Sequence, residues 1–321
     1  MKYTRIAGTG SCLPKRIVTN DEIAQKVDTT NEWIVSRTGI ESRHVAGEGE
    51  RTSDLALGAA HKALEAAGLQ PSDIDLIIVA TTTPDMLLPS TACLLQAKLG
   101  APAGCAAFDV QAVCTGFMYA ITVANQLMRA GMYQCALVVG AETLTRYVDW
   151  TDRNHCVLFG DGAGAVVLRP SDKPGILSSH LHADGNLAKI LQLDASFAGG
   201  KISGNPFVQF DGQAVFKVAV RALEDCAREA LEHNKVSAND LDWLVPHQAN
   251  LRIIQMAADR LEVPMDRVVT TVQKHGNTSA ASAVLALDEA VRDGRIKDGQ
   301  LVLLQGVGGG MTWGSVLVRW G

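Results

Sequence analysis

Cys114 stands where a thiol can act as a nucleophile. The segment FDVQAVC reads as a strand end and a tight turn. Phe117, Ala120, Ile121, Ala124, Leu127 and Met128 then share one broad apolar helical face. A cysteine at a helix start feels the positive end of the dipole and unpaired N–H groups. That placement predicts a thiol pKa lowered from roughly 8.5 into the range of about 3.5–7.5. His247, in VPHQANLR, follows the strand-like LDWLV. Open α/β sheets place their sites just past such strand ends. Asn277, in HGNTSAAS, begins the helix-like stretch NTSAASAVLALDEAVRDG. Asparagine also suits a helix cap, and the two roles use different groups.

Other chemistry-bearing residues read as structural. Cys12, Cys93, Cys105, Cys135, Cys156 and Cys226 lack a matching helix start and partner, and read as small core residues. His275, two residues from Asn277, is a rival to His247. His180 and His182 form an H-x-H without the carboxylate or cysteine pattern of a metal site, so no metal is expected. The run Gly308–Gly310 is not a G-x-G-x-x-G between strand and helix. It does allow backbone N–H groups to approach a substrate closely.

The elements that position these residues alternate. Leu76–Ala80, Ala136–Gly140, Leu241–Val245 and Leu301–Gln305 read as buried strands, with alanine-rich helices between them. That pattern predicts an α/β protein of mixed sheets packed in helix–sheet layers. The halves resemble each other. LEAAGLQPSDIDLIIV and LEHNKVSANDLDWLVP match at an offset of 167, from Leu64 to Leu231. GDGAGAVVLR and GGMTWGSVLVR match at an offset of 150, from Gly160 to Gly310. An offset of 163 aligns Arg129 and Gly131 with Arg292 and Gly294, and Cys114 with Asn277. The expectation is two similar halves, 1–170 and 171–321, with Cys114 and Asn277 in equivalent places and a site at their junction.

Composition narrows the setting. The chain has 321 residues, 47% hydrophobic and 20% charged, enough for a large core. Its net charge of −5 argues against nucleic acid as a partner. Seven cysteines, an odd number with no C-x-x-C, argue against a disulfide framework and point to a reducing cytoplasm. No apolar run reaches the roughly 20 residues of a membrane span. The segment MKYTRIAGTGSCLPKR lacks the apolar run of a signal peptide.

Together, VCTGF, VPHQANLR, HGNTSAAS, FGDGAGAVVL and GGGMTWGS resemble the β-ketoacyl-acyl carrier protein synthase III family of thiolase-like condensing enzymes. The motifs span nearly the whole chain in order. The resemblance implies a thiolase-like fold, a homodimer and a Cys114–His247–Asn277 site. It implies that Cys114 takes an acyl group from acetyl-CoA and that malonyl-acyl carrier protein then condenses with loss of CO₂. His247 and Asn277 would stabilise the enolate, and backbone N–H groups of Cys114 and Gly309 would form an oxyanion hole. No cofactor beyond these substrates is implied. Relatives of the thiolase branch carry a second cysteine in the glycine loop; GVGGGMTW has none.

Further residues follow from the same resemblance. Trp33 and Arg153 match the pair that stacks the CoA adenine, and Thr29 and Arg37 match further nucleotide contacts. Gly212, Phe216 and Asn250 match the pantetheine channel, and Phe159 and Leu191 the acyl pocket. Gln248, Ala249, Asn250, Leu251, Arg252 and Lys217 are expected to face the acyl carrier protein. Leu88 corresponds to a cap on the partner subunit's acyl pocket. Val307 and Met311, where the family often has phenylalanine, are expected to alter the malonyl side. Lys217, Arg221 and Arg228 form a basic helical stripe suited to an acidic carrier. Three alternatives stay open: a related condensing enzyme with another primer, a Cys-dependent thioester hydrolase, and a non-catalytic CoA-binding protein.

Overall fold

A computed structural model describes residues 3–321. Five strands form the first sheet: β1 (Tyr3–Cys12), β2 (Leu76–Ala80), β3 (Ala106–Val110), β4 (Ala136–Glu142) and β5 (Gly162–Ser171), in the order β1-β5-β4-β2-β3. Four form the second: β6 (Ile176–Ala183), β7 (Trp243–Pro246), β8 (Leu301–Gly308) and β9 (Thr312–Arg319), in the order β6-β9-β8-β7. Both sheets are mixed. β2 pairs in parallel with β3 and β4, and β7 with β8, while β1, β5, β6 and β9 run antiparallel to their neighbours. A single parallel bridge, Leu244 to Val268, sits on β7 where a counterpart of β3 would pair.

The helices that matter here are α1 (Asn31–Thr38), α2 (Thr52–Ala67), α3 (Thr91–Leu99), α4 (Gly116–Arg129), α5 (Gly212–Asn234), α6 (Leu251–Arg260) and α7 (Ser282–Arg292). They complete five layers. α2 and α3 cover the outer face of the first sheet, through Leu55, Ala59, Leu95, Ile77 and Val139. α5 and α6 cover the outer face of the second, through Ala227, Leu231, Ile254, Leu303 and Leu317. α4 and α7 lie between the sheets, where Phe117, Ile121, Val284 and Leu287 meet Ile78, Val138, Val302 and Leu304. These helices are apolar on more than one side because both sheets need covering. Each large side chain buried there contributes about 1.5–3 kcal/mol. No described helix is long and apolar enough to cross a membrane.

The middle layer is held by reciprocal close approaches. A Cβ on Gly140 of β4 would sit 2.3 Å from the carbonyl oxygen of Ala280, at the start of α7. A Cβ on Gly306 of β8 would sit 3.3 Å from Cα of Thr115, at the start of α4. Each half lends a glycine floor to the other half's helix start. The turns themselves match. Val113–Thr115 and Ser279–Ala281 are both single 3₁₀ turns, and each opens on a residue with φ of +50°. Such a φ in a valine or serine costs about 1–3 kcal/mol and persists only where surroundings enforce it.

The turns align Cys114 with Ala280, not with Asn277. Gly140 and Gly306, and Val113 and Ser279, share an offset of 166. The expected offset of 163 fits the helix C-termini because α4 has 14 residues and α7 has 11. Reading back from those ends therefore misplaces the starts by about one turn.

Candidate active site

Cys114 lies in the 3₁₀ turn that feeds α4, 7% exposed. Burial pushes its thiol up to about 12. This corrects the expected lowering: desolvation outweighs the helix-start effect in the closed turn. Gly308 backs onto the turn, since a Cβ there would lie 2.6 Å from Cys114 N. Gly309 is beside Val113 and the Leu191 carbonyl. The glycine loop thus brings backbone to the nucleophile, with Gly308 as a neighbour that the motif alone did not single out.

Asn277 sits just ahead of the matching turn, 8% exposed. Its backbone N–H donates to Leu158 O at 2.8 Å, and its carbonyl accepts from Gly160 N at 3.0 Å. These bonds tie it to the segment that carries Phe159. Its side-chain Oδ1 accepts from Ser279 N at 2.9 Å. The oxygen is committed, so the Nδ2 donor is the end left for a ligand.

His247 follows β7 and is the least exposed of the three, at 2%. Its N–H donates to Gln305 O at 2.8 Å, one residue before the Gly306 floor under Cys114. Nδ1 is 2.5 Å from Ser282 Oγ. That same oxygen accepts from Gln248 N at 3.2 Å. The hydroxyl proton is therefore free to go to Nδ1, which leaves the imidazole proton on Nε2 (an assignment from the hydrogen-bond pattern). Burial pushes the imidazole pKa down to about 3, so the ring is neutral near pH 7. Ser279 and Ser282, which orient Asn277 and His247, went unnoticed in the sequence. Their signal was present in NTSAAS, at the start of a helix.

His275, the rival, is engaged elsewhere. It meets Glu289 at 3.5 Å and packs against His44 with ring centroids 5.6 Å apart. Burial pushes its pKa down to about 4. His180 and His182 both reach Glu229, at 3.2 and 2.6 Å.

The depressed histidines predict a pH dependence of stability. Below pH 6.5 the unfolded chain binds protons that His247 and His275 refuse when folded. Their stabilisation is present above 6.5 and is lost as pH falls toward about 3 and about 4. Between pH 6.5 and 5 each contributes a loss of about 2 kcal/mol. Urea unfolding of wild type and His275→Gln at both pH values checks this; the variant should lose less stability across the interval.

A cavity of about 500 Å³ runs past Cys114 and Asn277. Gly212, Phe216 and Asn250, expected along a channel, are among its lining residues, together with Ala249, which was expected to face the carrier protein. Another part of the lining is apolar, with Phe159, Leu191, Leu144, Tyr147, Val208 and Phe210. It continues to Leu87 and to Phe197 and Ile202, which face each other across a small hairpin. Leu88 is 80% exposed beside Leu87. Leu87 and the hairpin were missed because loop residues carry no periodic signal.

Near the channel mouth, Arg37 and Arg153 both cover the Trp33 indole, at 4.4 and 5.0 Å from its centroid. The Thr29 hydroxyl is buried and has no hydrogen-bond partner among the described residues. Asn250 caps α6 by accepting from Arg252 N at 2.8 Å, and donates to Arg37 O at 3.0 Å. Both ends of its amide are used, so it ties the wall together.

Gln248 requires a correction. It is buried, and its amide donates to Pro246 O and Val269 O and accepts from Thr271 N and Val272 N. All four bonds are internal, so it braces the loop and cannot reach a carrier protein. Leu251 is partly buried against Gly39 and the core. Arg252 is exposed and rests on Phe216, 5.8 Å from the ring centroid. Lys217 is exposed nearby. The rest of the basic stripe is partly neutralised: Arg221 pairs with Asp225 and Arg228 with Glu224. Val307 and Met311 are buried beneath α5 and α6 with Val220, Leu223 and Ala257, behind the cavity wall.

The doubled mixed sheet with buried helix starts at its centre is the thiolase-like fold of acyl-transferring condensing enzymes. Residues 108–185 match the family model of 3-oxoacyl-[acyl-carrier-protein (ACP)] synthase III, and residues 231–320 match the model of its C-terminal part. A beta-ketoacyl-[acyl-carrier-protein] synthase III from Neisseria meningitidis is 59% identical, covering 100% of both chains. One from Thioalkalivibrio sulfidiphilus is 58% identical over 99% of this chain and 100% of that one. The solved 3-oxoacyl-[acyl-carrier-protein] synthase III from Aquifex aeolicus superposes with a TM-score of 0.94 at 45% identity, over 99% of this chain and 100% of that one. The chain belongs to the β-ketoacyl-[acyl-carrier-protein] synthase III family.

Proposed function

We propose that this protein starts fatty acid synthesis by condensing an acetyl group from acetyl-CoA with malonyl-acyl carrier protein. The observation that carries the mechanism is the fixed orientation of two donors. Ser279 holds Oδ1 of Asn277 and Ser282 holds Nδ1 of His247, leaving Nδ2–H and Nε2–H as the available ends.

In the first half-reaction Cys114 Sγ attacks the thioester carbon. The Sγ–C bond forms, the C–S bond to CoA breaks, and the thiol proton ends on the CoA sulfur. The Cys114 and Gly309 amides stabilise the oxyanion. In the second, malonyl loses CO₂ and its electron pair becomes a thioester enolate. Neutral His247 and Asn277 donate to the enolate oxygen. The carbanion attacks the acyl carbon, Cys114 leaves as thiolate and regains a proton from solvent. Because decarboxylation generates the carbanion, no base is needed at a C–H bond. A hydrolase reading is separated by adding acetyl-CoA alone: free acetate without malonyl-carrier protein would favour hydrolysis, and its absence favours condensation.

Substrate contacts follow the cavity. The pantetheine arm passes Gly212, Phe216 and Asn250, and the acyl group lies toward Phe159 and Leu191. Adenine reaches the Trp33 indole by taking the place of Arg37 or Arg153. Thr29 supplies a hydroxyl. The protein acts as a homodimer in the cytoplasm, with Leu88 of one subunit reaching the other's acyl pocket, and it needs no metal or cofactor. The apolar extension toward Leu87, Phe197 and Ile202 supports primers longer than acetyl. Butyryl-CoA should be used at a rate comparable to that of acetyl-CoA, since its two added methylenes enter apolar space that continues past Phe159 and Leu191. Initial rates with acetyl-, butyryl- and octanoyl-CoA check this, and strict acetyl preference would contradict it.

Arg252 and Lys217, without ion-pair partners among the described residues, are the cations that meet an acidic carrier, with Ala249 and Leu251 alongside. Arg252→Glu should lower turnover with malonyl-carrier protein about tenfold or more while sparing CoA-dependent acyl exchange. Equal loss in both assays would contradict a docking role.

A further inference from the structure

Arg43 is fully buried at an inward position of the strand Ser42–Val45, which pairs with Arg16–Thr19. The next inward residue on that strand is Val45, part of an apolar cluster. No carboxylate pairs with the guanidinium among the described residues, and its Nε has no hydrogen-bond partner there. A buried cation without an anion costs stability, so packing does not account for an arginine at this place. Burial pushes its pKa down to about 10, which leaves it charged near neutral pH.

The guanidinium spreads its fork over three acceptors. Nη1 donates to Val18 O at 3.2 Å and to Asn20 Oδ1 at 2.9 Å. Nη2 donates to Val157 O at 2.8 Å. Asn20 is itself fixed, since its Nδ2 donates to Asn31 Oδ1 at 3.0 Å and to Ile40 O at 2.7 Å. One end of the fork is thus anchored at Val18 and Asn20, and the other holds Val157.

Val157 opens the segment that grips Asn277. Leu158 O accepts from Asn277 N, Gly160 N donates to Asn277 O, and Phe159 lies opposite Asn277 in a parallel bridge. The Arg43 stem packs at the same place. A Cβ on Gly160 would lie 3.2 Å from Arg43 Cβ, and one on Gly276 would lie 3.3 Å from it. One arginine therefore meets a residue on each strand of the bridge and hydrogen-bonds the chain leading into it. The other cations flanking these segments are engaged elsewhere: Arg153 with Asp28, and Lys274 with Glu289.

We propose that Arg43 is a positioning residue for condensation. By fixing Val157 and the flanks of the bridge, it sets the backbone of Asn277 and so the place of its Nδ2 donor. The inference rests on Asn277 being a donor to the enolate in the proposed reaction. Ser279 orients the Asn277 side chain from within its own turn; Arg43 holds the backbone from another part of the chain. Lysine cannot take over, because a single ammonium has no planar fork to join Val157 O to Val18 O and Asn20.

The test is single-turnover condensation of the preformed acetyl-enzyme with malonyl-carrier protein, beside the rate of acylation by acetyl-CoA. Arg43→Lys should lower condensation about tenfold and leave acylation within a few-fold, since a donor displaced by a fraction of an ångström loses much of its effect. In an Asn277→Ala background the same change should lower condensation less than about twofold, because the donor it positions is gone. A merely structural arginine would cost condensation equally in both backgrounds, and that result would overturn the proposal. Equal loss of acylation and condensation in Arg43→Lys would overturn it too. Asn20→Ala removes one acceptor of the fork and leaves the charge, and it decides the matter if Arg43→Lys does not fold. It should lower condensation about threefold, with no loss in the Asn277→Ala background. Unchanged condensation, or a loss that persists in that background, overturns the proposal. Should Asn277→Ala alone condense at the wild-type rate, the donor role of Asn277 fails and this inference with it; failure of the paired variants leaves that role standing.

Discussion

Cys114→Ala should carry no acyl group after incubation with acetyl-CoA and should lose at least about a thousandfold in condensation. Without the thiol there is no atom to hold the acyl group between the two half-reactions, and the sequential route ends. The other six cysteines are poor substitutes. None of the six lines the cavity. Intact mass of the variant after acetyl-CoA checks the first half, and appearance of β-ketoacyl-carrier protein checks the second. An adduct on the variant would move the nucleophile elsewhere.

His247→Ala and Asn277→Ala should behave differently from that. Each removes one donor that the proposed mechanism directs at the enolate oxygen but leaves Cys114 and the glycine loop in place. Acyl transfer to Cys114 should stay within a few-fold of wild type. Condensation should fall about 10²–10³-fold, the usual cost of one preorganised oxyanion donor. The double variant should fall less than the product of the two, because both act on one oxygen. Ser282→Ala, which frees Nδ1 without touching Nε2, should show a smaller loss of the same kind. Pre-steady-state acylation and steady-state condensation, measured side by side, separate the steps. Equal loss in both steps would assign these residues to acyl transfer.

Much of this site was legible in residue type and place. A cysteine at a helix start, a histidine past a strand and an asparagine before a second helix are local patterns, and the two-halved sequence put them near one another. What was lost depended on three-dimensional closure. The thiol's direction of shift was misread because a helix start is local, whereas desolvation of Cys114 comes from β8 and the opposite turn. The register of the repeat slipped by about one turn because α7 is shorter than α4 at the end that sequence matching favoured. Gln248 looked like a docking residue beside Arg252, yet its amide is consumed by the 269–272 backbone, which lies over 20 residues away in sequence. Val307 and Met311 alternate away from the cavity on a strand and its turn, so their side chains fill the α5–α6 layer.

The central claim is that one thiol carries the acyl group between two half-reactions. It is tested most directly by intact-protein mass spectrometry of the wild type, first with acetyl-CoA and then with malonyl-carrier protein. One acetyl mass should appear on Cys114 and then disappear as acetoacetyl-carrier protein forms; an adduct that persists with malonyl-carrier protein present would contradict the account.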